Sequence, residues 1–123
     1  MKIIIAGTGK VGRSVAAVLS DEGNDVTIID LDPETIESVS NDLDVNCVEG
    51  NAADPEALRG AGAGDADLVV AVTEKDEINM VCGIAARKLG AKHVIARIRD
   101  PLYLHQIAFL RETMGLSQII NPE

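Results

Sequence analysis

The 123-residue chain carries 20 acidic residues against 11 lysines and arginines, a net charge of −9, and is 46% hydrophobic. Such acidity excludes the counterion-releasing basic clusters of a nucleic-acid binder, and such hydrophobicity excludes disorder. No apolar run approaches the ~20 residues that span a bilayer, and no basic segment with a cleavage site opens the chain, so one soluble, cytoplasmic domain is expected.

The apolar run Ile3-Ile4-Ile5-Ala6 predicts a buried strand over 2–6. Gly7-Thr8-Gly9-Lys10-Val11-Gly12 follows, and Val11, Val15, Val18 and Leu19 then recur at helical spacing over 11–22. Strand, glycine turn and helix are the context in which G-x-G-x-x-G marks a dinucleotide site. Gly7 allows the tight turn, Gly9 lets the backbone approach a pyrophosphate, and Gly12 lets the helix pack close to the strand. The free N–H groups of the helix start face the phosphates. The next predicted strand, 25–30, ends in Asp30, 18 residues after Gly12. That is the position of the acid that accepts hydrogen bonds from the adenosine ribose. Leu31 and Asp32 follow it with no Arg, so a 2′-phosphate would be repelled and NAD or an adenine nucleotide preferred over NADP. Asp32 is read as a helix cap.

Further along, helices are predicted near 33–43, 55–61, 76–89 and 101–114, and strands at 45–49, 67–72, 93–98 and 117–120. The segment Gly60-Ala61-Gly62-Ala63-Gly64 reads as a loose turn, because no apolar strand precedes it. Six strands with five helical crossovers predict a Rossmann-like, doubly wound parallel sheet of order 3-2-1-4-5-6, with helices on both faces. All four prolines follow Asp or Asn, at Asp32-Pro33, Asp54-Pro55, Asp100-Pro101 and Asn121-Pro122. An Asp or Asn cap with Pro at the first helical position is a helix start, so the last pair implies a further helix beyond residue 123. In helix 76–89 the core stripe is read as Ile78, Val81, Cys82, Ala85 and Leu89, with Met80 and Ile84 beside it. Helix 101–114 carries Leu104, Ile107 and Ala108 as one stripe, with Leu102, Tyr103, Phe109 and Leu110 spread around it. That excess predicts deep burial or a subunit interface. Cys47 and Cys82 sit in no metal or redox spacing and are read as buried small hydrophobes. His93 and His105 have no partners at metal-ligand spacing, so no metal is expected.

The chain resembles the N-terminal nucleotide-binding domain of the RCK/KTN (TrkA-N) family, found in regulatory subunits of Trk- and Ktr-type potassium uptake systems and in ligand-gated potassium channels. The likeness rests on Gly-Thr-Gly-Lys-Val-Gly-Arg at 7–13, Ile-Asp-Leu-Asp-Pro-Glu at 29–34 and Glu-Gly-Asn-Ala at 49–52. Downstream it rests on Ala-Val-Thr-Glu-Lys-Asp-Glu-Ile-Asn at 71–79, Ala-Arg-Ile-Arg-Asp-Pro at 96–101 and Ile-Asn-Pro-Glu at 120–123. The resemblance implies that Gly7, Gly9 and Gly12 bound the pyrophosphate loop, with Thr8 and Val11 inside it and Lys10 toward the phosphates. Asp30, with Leu31 beside it, would hold the ribose, and Asn51 and Ala52 would border the adenine. Thr73 and Glu74 would stand at the switch point of the sheet. For Arg97 a phosphate contact and a surface ion pair both stay open; Arg99 is read as a surface ion pair.

The resemblance implies a non-enzymatic regulatory domain that binds NAD, NADH, ATP or ADP. Its partners would be a membrane potassium transporter and further copies of itself, as a dimer or larger ring, at the inner face of the membrane. The rival readings are a small NAD-dependent oxidoreductase and a nucleotide sensor for another partner. Hydride transfer needs a proton donor beside the nicotinamide. Tyr103 has Ile107 four residues on, so no Tyr-x-x-x-Lys couple exists, and these 123 residues are expected to leave no room for a second domain that closes on a substrate.

Overall fold

The computed structural model describes residues 1–115 and 118–120. Six parallel strands form one sheet in the order β3-β2-β1-β4-β5-β6. They are β1 Lys2–Ala6, β2 Asp25–Asp30, β3 Asn46–Glu49, β4 Leu68–Ala71, β5 His93–Arg97 and β6 Gln118–Ile120. Between them run α1 Lys10–Asp21, α2 Pro33–Asp42, α3 Pro55–Gly60, α4 Asp76–Leu89, α5 Pro101–Leu104 and α6 Ile107–Met114. β1 lies at the centre, with Ile5 paired to Ile28 on one side and Val70 on the other.

The unbroken apolar run of β1 follows from burial on both faces. Ile3 and Ile5 join Val26, Ile28, Val70 and Val72 in a core covered by Ala16 of α1 and Val39 of α2. Ile4 and Ala6 join Ile29, Val69 and Val94 in a second core, covered by Leu58 of α3 with Cys82 and Ala86 of α4. β1, β2 and β4 thus alternate between two cores, and a parallel sheet needs that arrangement because its crossovers cover both faces. Three of the four Asp/Asn-Pro pairs start helices: Asp32, Asp54 and Asp100 accept from the N–H groups of Glu34, Glu56 and Leu102 at 2.9–3.0 Å. The fourth pair, Asn121-Pro122, lies outside the described residues. Around the glycine-rich turn, Gly62 takes φ +90° and leads into a single 3-10 turn at Ala63–Asp65.

Three expectations need correction. Helix 101–114 is not continuous: α5 ends at Leu104 and α6 begins at Ile107, with Gln106 at φ −122°, ψ 31° between them. The break turns Ile107 and Leu110 half inward but leaves Leu102 and Phe109 71% and 54% exposed, so one face never had to bury all the apolar residues. In α4, Val81 is exposed while Asn79, Cys82, Gly83 and Ala86 face the core. Ile78, Ala85 and Leu89 do pack against the core beside Cys82, so Val81 alone of the expected stripe points away from it. Cys82 is buried as expected, but Cys47, on the edge strand, is only half-buried.

Candidate functional site

A cleft of about 330 Å³ opens at the carboxyl ends of β1, β2 and β4. Its first wall is the β1–α1 turn. Gly7 has φ +100°, and a Cβ there would stand 2.8 Å from the Thr73 backbone. A Cβ on Gly12 would stand 2.0 Å from the Gly7 carbonyl oxygen. Both positions therefore demand glycine for reasons internal to the fold. Gly9 differs: a Cβ would meet only Glu74 Oε1, at 3.4 Å. The space in front of Gly9 is open to a ligand.

Gly9 is also the N-cap of α1, without a side-chain cap and without an acidic residue in the first turn. The first intrahelical bond is Arg13 N–H to Gly9 O, at 2.9 Å. The N–H groups of Lys10, Val11 and Gly12 precede it and have no acceptor within the helix. An anion at this point would meet open donors and the positive end of the helix dipole.

The second wall comes from β2. Asp30 Oδ2 accepts the Thr8 backbone N–H at 3.0 Å and the Thr8 hydroxyl at 2.5 Å. Its Oδ1 accepts the Asp32 N–H at 2.9 Å. The carboxylate is thus held at the cleft edge by the glycine-rich loop itself, with Leu31 65% exposed at the rim. The Gly50 N–H donates to the Asp30 carbonyl at 2.8 Å, which brings the β3–α3 loop alongside. There Ala52 is buried, while Asn51 is exposed and turns its Oδ1 back to the Ala53 N–H at 2.8 Å.

The floor is the β4–α4 segment, and a fully buried amide organises it. Asn79 Oδ1 accepts the Thr73 N–H at 2.8 Å and its hydroxyl at 2.7 Å. Asn79 Nδ2 donates to the carbonyls of Thr73 at 3.1 Å and Arg97 at 2.8 Å. Every polar atom of a side chain with 0% exposure is therefore paired. Arg97 lies beneath this floor. It is 5% exposed, and its Nη2 donates to the Val72 and Thr73 carbonyls at 3.0 and 2.8 Å. Its Nε has no hydrogen-bond partner among the described residues.

Nine of the residues singled out from the sequence line the cleft: Gly7, Thr8, Gly9, Asp30, Leu31, Asn51, Ala52, Thr73 and Glu74. The side chains of Lys10 and Val11, and Gly12, are not part of the lining, and Arg97 is buried under the floor instead of at the surface, which removes the surface ion pair considered for it. Arg99 does form an ion pair, with Glu74 at 3.5 Å. Sequence reasoning passed over Ile29, Gly50, Val72, Lys75 and Ile78, which also line the cleft. It also gave Asn79 no role of its own, although that residue closes the 71–79 motif. A polar residue on the inward stripe of an otherwise apolar helix was the available signal. Among the described residues no cluster of three or more His, Cys, Asp or Glu is placed to hold a metal, and no helix is long and apolar enough to cross a membrane.

The TrkA-N domain model matches residues 3–122. A Trk system potassium uptake protein TrkA homolog from Archaeoglobus fulgidus is 42% identical over 123 residues, covering all of this chain and 28% of the relative. The Trk system potassium uptake protein TrkA of Haemophilus influenzae is 41% identical over 126 residues, again covering all of this chain and 28% of the relative. The chain thus spans a little over a quarter of the length of these relatives. Among solved structures, the TrkA-N domain of the Escherichia coli inner membrane protein ybaL superposes with a TM-score of 0.85 at 20% identity, over 98% of this chain and 87% of that one. The GsuK channel bound to NAD gives 0.81 at 18% identity, over 97% and 21%. The Shewanella denitrificans Kef CTD in AMP-bound form gives 0.77 at 28% identity, over 98% and 71%.

Proposed function

The chain belongs to the TrkA-N domain family, and from that premise we propose that it is a non-enzymatic, nucleotide-sensing regulatory domain of a membrane potassium uptake system. It binds NAD or NADH, or alternatively ADP or ATP, and not NADP. It works at the inner face of the membrane in an assembly of several copies. The observation that carries this reading is the meeting of three features in one cleft. These are the uncapped start of α1, the open space before Gly9 and the Asp30 carboxylate held by Thr8.

The chemistry follows from those groups. The free N–H groups of α1 take the phosphates, and Asp30 takes the ribose hydroxyls. The apolar side chains of Leu31, Ala52 and Ile78 offer a surface for the adenine. A 2′-phosphate on the ribose would bring a dianion against Asp30, with Asp32 two residues away. A bound nucleotide alters the assembly only to the extent that it binds one arrangement of the copies more tightly than another. Relatives named as potassium uptake proteins, and neighbours solved with NAD and with AMP, support this reading.

Calorimetric titration with NAD, NADH, ADP, ATP and NADP tests it. Binding of NAD or ADP, with NADP clearly weaker, is the expected result. Failure of all five to bind rejects the nucleotide assignment, and equal affinity for NAD and NADP rejects the orientation of Asp30 toward the ribose.

A further inference from the structure

Glu74 stands between the phosphate loop and the segment that leads into α5. One carboxylate oxygen, Oε1, lies 3.4 Å from the point where a Cβ on Gly9 would stand. The other, Oε2, lies 3.5 Å from Arg99 Nη2, and the same nitrogen donates to the Glu74 carbonyl at 3.0 Å. Arg99 is anchored in turn, because its N–H and that of Asp100 donate to Asp76 Oδ2 at 3.0 and 2.7 Å. Asp76 itself is only 8% exposed. The Glu74 side chain is 81% exposed, yet its carboxylate is tethered in front of the helix start that would receive phosphates. A fixed negative charge at an anion-receiving point is a local contradiction, and ligand selection resolves it.

We propose that Glu74 is a specificity determinant of the cleft, which selects dinucleotides over nucleotides that end in a terminal phosphate. This rests on the nucleotide-binding reading above and names the ligand class within it. In a dinucleotide each phosphate is substituted on both sides, by one ester and by the shared anhydride oxygen, and carries one negative charge. The outer phosphate of ADP is attached only through the anhydride oxygen and carries about two. Glu74 therefore meets about one more unit of like charge with ADP than with NAD. For groups a few Å apart in water-like surroundings, that repulsion corresponds to about a fivefold loss of affinity. The oxidised nicotinamide carries a positive charge, which reinforces the preference. Neutralising Glu74 removes the repulsion and also releases the Arg99 guanidinium toward a terminal phosphate, so both consequences act in one direction.

The test is calorimetric titration of the full chain with NAD and with ADP, for the wild type, Glu74→Gln and Glu74→Lys. Thermal melts would establish that each variant is folded. The ratio of ADP to NAD affinity is expected to rise about fivefold in Glu74→Gln and further in Glu74→Lys. Because the side chain is exposed, the gain should shrink in high salt. Equal changes for the two ligands, or no change for either, overturn the proposal. A wild type that binds neither ligand rejects the nucleotide reading itself, and the proposal falls with it.

Discussion

Thr8 and Asp30 meet twice through one oxygen. Asp30 Oδ2 accepts both the N–H and the hydroxyl of Thr8, at 3.0 and 2.5 Å, so the tip of β2 and the glycine loop after β1 hold each other across 22 residues of sequence. The Asp30 carboxylate proposed to take the ribose is therefore oriented before any ligand arrives, and orientation in advance lowers the ordering cost of binding.

Asp30→Ala should weaken binding of NAD and ADP by about 1–3 kcal/mol, the loss of a charge-assisted hydrogen bond. Calorimetry reads this directly. Affinity equal to the wild type for both ligands would separate Asp30 from the ribose.

Asn79→Leu should destabilise the fold by about 2–4 kcal/mol. The replacement is apolar and of similar size, but it leaves the Thr73 N–H and the Arg97 carbonyl inside the protein without their partner. Urea denaturation measures the change. A loss below about 1 kcal/mol would show that the β4–α4 segment holds its shape without the amide.

Asp67 links acid stability to the opposite end of the sheet. Its carboxylate accepts the Lys2 N–H at 2.8 Å and the Lys92 ammonium at 3.2 Å. The Lys2 backbone hydrogen bond, followed by that of Lys92, holds the group below its ordinary value of 3.8. The folded state therefore binds this proton less readily than the unfolded chain. The stabilisation is complete above pH ~4 and is lost as pH falls through the lower folded value. Asp67→Asn should flatten the dependence of unfolding free energy on pH below about 4, and leave the slope near neutrality unchanged. Identical acid limbs in chemical denaturation at a series of pH values would remove Asp67 from the linkage.

Phe109→Asp should shift the chain toward monomer without unfolding it. Among the described side chains, Phe109 and Leu102 are the large apolar ones left exposed on α5 and α6, and Val81 and Ile84 are exposed on neighbouring α4. Light scattering together with a thermal melt decides the matter. A wild type that stays monomeric at high concentration, or a variant that unfolds, would contradict an interface on this face.

The sequence alone determined the architecture. Alternating apolar runs and helical periods are local signals, and glycine, proline and Asp act on the backbone within a few residues. Ile3–Ala6, Gly7–Gly12 and the three Asp-Pro helix starts were therefore legible one segment at a time, and the spacing from Gly12 to Asp30 located the cleft. Only the tertiary structure decided which polar groups the fold consumes internally. Asn79 serves Thr73 and the Arg97 carbonyl, Arg97 serves the carbonyls under the cleft, and Arg99 holds Glu74 beside Gly9 of the glycine-rich loop. The Arg97 and Arg99 contacts join residues 24 or 25 positions apart, and the Asn79–Arg97 contact spans 18. No local period reports contacts at such separations. Whether a buried charge or amide is paired depends on which strand ends the sheet brings together, and that is a property of the assembled sheet.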